Sequence, residues 1–393
     1  MTADGRPVVV LTSTFPARAG DGTPGFVLTL CEALARHRPV TVVAPRVPGG
    51  PRHEWINGVE VVRFRYFPRR WEGLATDAIM PTLRAEPWRI LEVAPFLVAY
   101  LCTTLRTVRR VRPALVNAHW VLPAGVVAWV TRLIAGTPYV LTAHGADAFV
   151  LTGRAARRLK RAVLARAALV LPVSEDIAGA LRPLGAQIPA VVPMGVDVTA
   201  IRAGIGTREP EPGRFLFVGR LAGKKGVPTL LEALSRTTGG RVVIVGDGPD
   251  RVALEGLVDR LGIQDRVQLR GQQPASEVLR ELRCAVALVV PSVVDANGDK
   301  DGTPVVLAEA LAAGVPVIAS DLAGLGEHLT DGTTGILVPP GDVAALGRAL
   351  QRALDEPQRL DAIARAGARL ADERFSSDSS AAEYERCFEA AIP

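Results

Sequence analysis

Val242-Val243-Ile244-Val245-Gly246-Asp247-Gly248-Pro249 sets four consecutive β-branched apolar residues directly before a glycine-rich turn. A strand with one face in water alternates apolar and polar residues. An unbroken apolar run needs cover on both faces, which a parallel sheet flanked by helices provides. Outward from this stretch, runs of the same kind recur at 214–218, 266–270, 285–290, 315–319 and 335–338. In the first half they fall at 7–12, 40–44, 59–64, 114–118, 138–142, 168–172 and 190–193. Helical patterns separate them. This alternation predicts an α/β protein of two doubly wound, Rossmann-like domains, and 393 residues suit two domains of about 150–200 residues each. Asp197 to Gly213 turns to Gly, Pro, Glu and Arg without an apolar period and reads as a linker, with the border near residue 205. The expected parts are residues 1–200, residues 201–375, and a terminal segment 376–393 whose helix, about Ser377 to Ile392, follows another at 357–372. Ligands of open α/β sheets bind beyond the carboxyl ends of the strands, so two such domains facing each other predict one interdomain cleft.

Composition narrows the class. Hydrophobic residues make up 48% of the chain, enough for two cores. No basic segment followed by an apolar one opens the chain, and Pro7 to Leu11 read as a buried strand, so no signal peptide is expected. The longest apolar tracts, Val93 to Leu105 and His119 to Ala135, fall short of the roughly 18 uninterrupted apolar residues of a spanning helix. A soluble, cytoplasmic protein is expected. Cys31, Cys102, Cys284 and Cys387 are scattered and form no Cys-x-x-Cys pair, which argues for buried thiols over disulfides or a zinc site.

The net charge of +6 hides an asymmetry: residues 1–203 hold 25 Lys and Arg against 13 Asp and Glu, and residues 204–393 hold 21 against 27. Basic clusters at Arg63 to Trp71, Arg106 to Arg112 and Arg154 to Arg166 interleave arginine with apolar residues, as interfacial segments do. They predict contact with the anionic inner face of a membrane, or with an anionic acceptor. No nucleic-acid recognition motif is present, and no nucleic-acid partner is expected.

Chemistry concentrates first in Asp301-Gly302-Thr303-Pro304-Val305-Val306-Leu307-Ala308-Glu309. Thr303 reads as a helix N-cap and Pro304 as the first helical residue, with the helix running to Ala313. The amides of Val305 and Val306 then lack intrahelical acceptors and form an anion site suited to phosphate. Glu309 on the second turn is placed to accept hydrogen bonds from sugar hydroxyls, and Asp301 lies just before the cap. Together they are suited to holding the two ends of a nucleotide sugar. A second cluster, Gly219-Arg220-Leu221-Ala222-Gly223-Lys224-Lys225-Gly226, follows strand 214–218 and offers Arg220 and Lys225 as cations for a diphosphate. Gly246 opens a turn without the Gly-x-Gly-x-x-Gly spacing of a dinucleotide site. Arg270-Gly271 follows another strand. In the first half, Thr142-Ala143-His144-Gly145-Ala146-Asp147 closes a strand, Gly145 letting backbone approach a ligand, and Asp147 is either a ligand contact or a helix cap. Asp21-Gly22-Thr23-Pro24-Gly25-Phe26 opens a helix to about Arg36. Asp299-Lys300-Asp301 spells Asp-x-Asp, a short pattern that elsewhere binds a divalent metal; with cations available for the diphosphate, no metal is expected here.

The order of these motifs resembles the retaining glycosyltransferases of family 4. Their acidic residue, seven residues, Glu, then Ala and a later Gly before an apolar Pro-containing strand, is matched by Asp301, Glu309, Ala310, Gly314 and Val315-Pro316-Val317-Ile318-Ala319, with Asp in place of the first Glu. Their Gly-Arg-Leu, three residues, Lys-Gly is matched from Gly219 to Gly226, and Gly324, Glu327, Gly335 and the Pro-Pro-Gly-Asp at 339–342 follow in order. The resemblance implies a GT-B fold whose last helix crosses back to the first domain. It also implies transfer of a hexose-type sugar from a nucleoside diphosphate sugar, the co-substrate in place of a cofactor, to a hydroxyl of a glycan or lipid-linked acceptor. By the same resemblance Arg220 and Lys225 bind the diphosphate, and His144 and Asp301 position the transferred sugar. Glu309 binds ribose or sugar hydroxyls, while Gly25, Gly145, Gly246, Gly271, Gly302, Thr303, Val305 and Val306 line the donor. A nucleotide-sugar epimerase or phosphorylase of the same fold, or a non-catalytic nucleotide-sugar-binding subunit, are the rival readings.

Overall fold

The computed structural model describes residues 5–16, 25–47, 50–68, 70–75, 79–149, 153–295, 298, 303–322 and 324–392, with the backbone alone at Pro81, Ala146 and Asp147. Contacts divide the chain into two compact units. One comprises Met1–Val173, Ile177–Val192 and Ala381–Pro393, the other Ser174–Asp176 and Pro193–Ser380.

In the first unit the elements run β1 (Val8–Leu11), α1 (Phe26–Ala35), β2 (Val40–Pro45), β3 (His53–Ile56), β4 (Val59–Phe64), α2 (Ile79–Ala85), α3 (Ile90–Val111), β5 (Leu115–His119), α4 (Ala124–Ala135), β6 (Tyr139–Ala143), α5 (Ala146–Phe149), α6 (Arg154–Leu164), β7 (Leu169–Pro172) and α7 (Glu175–Leu181). The seven strands are ordered β3-β4-β2-β1-β5-β6-β7, parallel except for the β3–β4 pair. Continuous apolar runs became the central strands: Val8 to Leu11 are fully buried, as expected for a sheet covered on both faces. Two expectations fail at the margins. β3 was not foreseen, although Asn57-Gly58, with φ of 47° and 85°, closes it onto β4 in the manner of a tight hairpin. The run 190–193 forms no strand: Pro189 and Pro193 lack N–H donors, and Val192 N–H donates to Pro172 O at 2.9 Å outside any ladder.

α3 is longer than the broken apolar tract suggested, and the stretch Pro87–Val111 is long and apolar enough by composition to cross a membrane. Its inner face is tied to the sheet instead. Phe96 and Tyr100 join Phe64 and Tyr66 in an aromatic cluster with ring centroids 4.6–6.3 Å apart. Buried Glu92 pairs with Arg89 at 2.6 Å and accepts the Gly73 and Leu74 N–H groups, each at 3.0 Å.

The second unit runs α8 (Val198–Ile205), β8 (Arg214–Val218), α9 (Val227–Ser235), β9 (Arg241–Val245), α10 (Arg251–Leu261), β10 (Val267–Gly271), α11 (Ala275–Cys284), β11 (Ala287–Val290), α12 (Val305–Ala312), β12 (Val317–Ser320), β13 (Ile336–Val338), α13 (Val343–Asp355), α14 (Pro357–Arg374) and α15 (Ser377–Ala391). Its six strands, ordered β10-β9-β8-β11-β12-β13, are all parallel. The expected linker holds a helix, α8. Asp197 caps it by accepting from Ala200 N–H at 2.8 Å, and Val198, Ile201 and Ile205, spaced three and four apart, are buried against the second core. That apolar period was present in the sequence among the polar residues. α15 starts in the second unit, and from Ala381 on it belongs to the first. There Tyr384 and Phe388 are fully buried, Tyr384 Oη donates to Thr142 Oγ1 at 3.1 Å, and Glu385 pairs with Arg38.

Candidate functional site

In each sheet the chain builds outward from one central strand and then returns to build the other way, which creates a switch point: between β8 and β11 in the second unit, between β1 and β5 in the first. All parallel strands end on one edge, and the loops beyond a switch point diverge to leave a crevice for ligands.

Beyond β8 the backbone is packed against its neighbours. Gly219 N–H donates to Val245 O at 3.0 Å and Leu221 N–H to Asp247 O at 2.9 Å. Gly246 has φ of +136°, and a Cβ there would lie 1.9 Å from Gly219 O; at Gly248 a Cβ would lie 2.2 Å from Leu221 O. On the other side, Val293 N–H donates to Lys224 O at 2.8 Å, and a Cβ on Gly226, at φ of +65°, would meet Pro291 O at 1.8 Å. Glycine is therefore a requirement of close backbone approach at 226, 246 and 248. The loop carrying Arg220 and Lys225 is held between those after β9 and β11. Lys225 lays its stem over Gly219, with Cε 3.7 Å from where a Cβ would be, and Arg220 is the next residue along the same loop. Gly271 ends β10 beside this group, its carbonyl accepting Gly246 N–H at 2.8 Å. Arg270 points elsewhere: it and Arg214 both pair with buried Glu281.

α12 opens at the same edge of the sheet, but its start differs from expectation. Pro304 is the N-cap, Val305 the first helical residue and Ala312 the last. Thr303 does not cap. Its Oγ1 donates to Gly324 O at 3.0 Å and accepts from His328 Nε2, also at 3.0 Å, because Nε2 lies 3.2 Å from the acceptor-only carboxylate of Glu327 and so carries the proton. As a cap the hydroxyl oxygen would accept an amide N–H of its own helix; here it accepts from His328 and its proton goes to Gly324 O. Among the described residues the first bond back into the helix is Leu307 N–H to Pro304 O at 3.0 Å, and the Val305 and Val306 amides lie ahead of it. Glu309, on the second turn, has no protein partner among the described residues, and burial pushes its carboxyl up to about 7. Asp301 and Gly302 lie outside the described residues, as do Asp299 and Lys300 of the Asp-x-Asp pattern and Asp21 to Pro24 ahead of Gly25. Among the described residues no three His, Cys, Asp or Glu gather as a metal site would need.

In the first unit His144 follows β6, and Gly145, at φ of +115°, turns the chain into α5. His144 Nε2 lies 2.9 Å from Nδ1 of His119, the last residue of β5. Phe26 and Trp120 lie against the His144 ring at centroid distances of 5.1 and 4.8 Å. Burial holds His144 down to about 3, and burial together with the neighbouring His144 holds His119 well below the usual imidazole range, so both rings are neutral. One ring donates to the other. An orphaned acceptor is tolerated better than an orphaned N–H, and His119 Nε2 is buried without a partner. His119 Nδ1–H is therefore the donor, and His144 carries its own proton on Nδ1. Gly25 sits at the start of α1 with φ of −85° and open space around a would-be Cβ, while the next residue, Phe26, reaches the histidine. His119, Trp120 and Phe26 were not singled out from the sequence. The available signal was His119 at a strand end, the same position that drew attention to His144.

Comparison with known proteins followed the same division. The family described as Glycosyl transferases group 1 matches residues 201–370, and the Glycosyl transferase 4-like domain matches residues 21–196. The 2-deoxystreptamine glucosyltransferase of Streptomyces kanamyceticus is 32% identical over 347 residues, covering 79% of this chain and 87% of that protein. Other alignments are shorter: the chain spans about half the length, 47%, of two enterobacterial proteins named for colanic acid biosynthesis. Among solved structures, sucrose-phosphate synthase from Thermosynechococcus elongatus superposes with a TM-score of 0.79 at 24% identity over 98% of both chains. Anabaena HepE in complex with UDP gives 0.71 at 18% identity over 97% of this chain and 98% of its own. Both have the GT-B fold of two Rossmann-like domains.

Proposed function

Because the chain belongs to the group 1 glycosyltransferases, we propose that it is a retaining enzyme that moves a hexose-type sugar from a nucleoside diphosphate sugar to a hydroxyl of a glycan or lipid-linked acceptor. The observation that carries this reading is the grouping at one sheet edge of Arg220, the Lys225 stem over Gly219, and the amides that open α12. As the bond from the anomeric carbon to the diphosphate breaks, its electron pair leaves with the diphosphate, and the cations and amides meet that growing charge. The acceptor oxygen bonds the anomeric carbon on the face the diphosphate leaves, and the acceptor proton passes to a diphosphate oxygen. No side-chain base is needed. In this reading Glu309 accepts from hydroxyls of the donor, and His144 and Asp301 have the role that the family resemblance implies, positioning the transferred sugar. Since the leaving charge is met by side chains and amides, the reaction is written without a divalent cation, and turnover should survive a chelator.

That HepE binds UDP makes uridine nucleotides the first donors to test. The proposed place of work is the cytoplasmic face of a membrane, supported by the excess of positive charge in residues 1–203. Each charged hydrogen bond to the diphosphate contributes about 1.5–3 kcal/mol, so Arg220→Ala and Lys225→Ala should each lower kcat/KM by roughly ten- to a hundredfold while leaving the fold intact. Wild-type kinetics in both variants would remove the assignment. Conversion of nucleotide sugar in the absence of any acceptor would favour an epimerase instead.

A further inference from the structure

Between Ile90 and Leu105, α3 carries a single charge, Glu92, and that carboxylate is on the buried face, tied to Arg89 and to two backbone amides. The outer face of the same stretch is uncharged for about 24 Å at 1.5 Å per residue. Leu91 is 67% exposed and Val98 62%, with Ile90 and Cys102 exposed beside them. α4 packs against α3 and adds exposed Leu133 and Ile134. An exposed helix face that stays uncharged over this length is unusual on a protein surrounded only by water.

What borders it identifies the occupant. At the amino end of α3, half-exposed Trp71 and Trp88 each lie under a guanidinium, Arg70 at 4.3 Å and Arg89 at 4.5 Å from the ring centroids. At the carboxyl end come Arg106, Arg109 and Arg110. Arg110 is paired with Glu60 and Arg89 with Glu86 and Glu92, while Arg106 and Arg109 have no acidic partner among the described residues. An apolar centre edged by indoles and arginines suits the boundary of an anionic bilayer, where acyl chains accept the first, the headgroup layer the second, and lipid phosphates the third. Spanning is excluded by the other face, since Phe96, Tyr100 and Thr104 are packed into the first unit's core.

We propose that the outer face of α3, with Trp71, Trp88 and the end of α4, is the surface by which this protein rests on an anionic bilayer, α3 lying in the plane of the headgroups. The inference deepens the proposed use of a membrane-borne acceptor and takes its purpose from that reading, but its geometry stands apart from the donor residues of the second unit.

The full chain should sediment with vesicles of equimolar phosphatidylglycerol and phosphatidylcholine, be released by high salt, and stay in solution with phosphatidylcholine alone. The Leu91→Glu/Val98→Glu double variant should bind the anionic vesicles at least roughly tenfold more weakly, and Arg106→Glu/Arg109→Glu should lose both binding and its salt dependence. Tryptophan emission of the wild type should move to the blue on adding anionic vesicles, and Trp88→Phe should shrink that change, a readout that does not depend on the glutamate variants folding. The proposal is overturned if the wild type ignores anionic vesicles, or if the glutamates leave sedimentation unchanged. Self-association of the wild type without lipid, abolished by the same glutamates, would show that a second copy covers the face, and overturns it too. Thermal stabilisation by nucleotide sugar separates the two readings: if it is absent while vesicle binding persists, the donor assignment fails and the surface stands.

Discussion

Single residues set the protonation behaviour of the site. The Glu309 carboxyl, pushed by burial from 4.5 to about 7, keeps its proton in the folded protein across a range where the unfolded chain has released it. Its contribution therefore makes the fold less stable as pH rises from about 4.5 to 7. Donor binding should move the opposite way, because only the carboxylate has both oxygens free to accept from hydroxyls. Affinity for the nucleotide sugar, measured by calorimetry, is expected to climb through pH 7 in the wild type and to lose that climb in Glu309→Gln; an unchanged slope in the variant would rule out this role. The histidine pair works with the reverse sign. With His144 held near 3, the unfolded chain takes up protons below 6.5 that the folded one refuses, so the pair's contribution to stability is lost as pH falls through that window. That Glu309 lies on the second turn of a helix and His144 just after a strand was legible from local pattern. His119 was not, because its role arises from β5 lying beside β6, which brings two strand ends 25 positions apart to 2.9 Å.

At the level of elements, glycines that look alike in the sequence separate into two kinds. Gly246→Ala puts a methyl group 1.9 Å from a carbonyl oxygen at a φ that side chains rarely adopt, and should destabilise the second unit by about 3 kcal/mol or more. Gly25→Ala, at a helix start with open space and an ordinary φ, should cost no more than about 0.5 kcal/mol. Urea titrations of the two variants measure the contrast, and comparable losses would mean the loops after β8 and β9 are not packed as described. The α12 start shows the limit of local rules. Thr-Pro before an apolar run reads as cap and first turn, yet the Thr303 hydroxyl is drawn to Gly324 and His328, residues brought in by the loop after β12. Conversely, β3 and α8 were legible in Asn57-Gly58 and in the spacing of Val198, Ile201 and Ile205, and were obscured by the polar residues around them.

For the whole molecule, the chain's end completes the first unit's core. Tyr384→Ala removes a fully buried ring and the hydrogen bond to Thr142, and is expected to cost about 3–5 kcal/mol. Amide exchange should accelerate in β1, β5 and β6, with the β8–β13 sheet protected as before; uniform acceleration in both units would contradict the division. Sequence alone was enough for the two parallel sheets and the cationic loop after β8, because strand period, chain length and turn residues are properties of neighbours along the chain. Which hydroxyl binds which carbonyl, which glycine touches backbone, where α15 packs and which face of α3 is left uncovered were decided by tertiary structure, since each depends on atoms that only folding brings within a few ångströms.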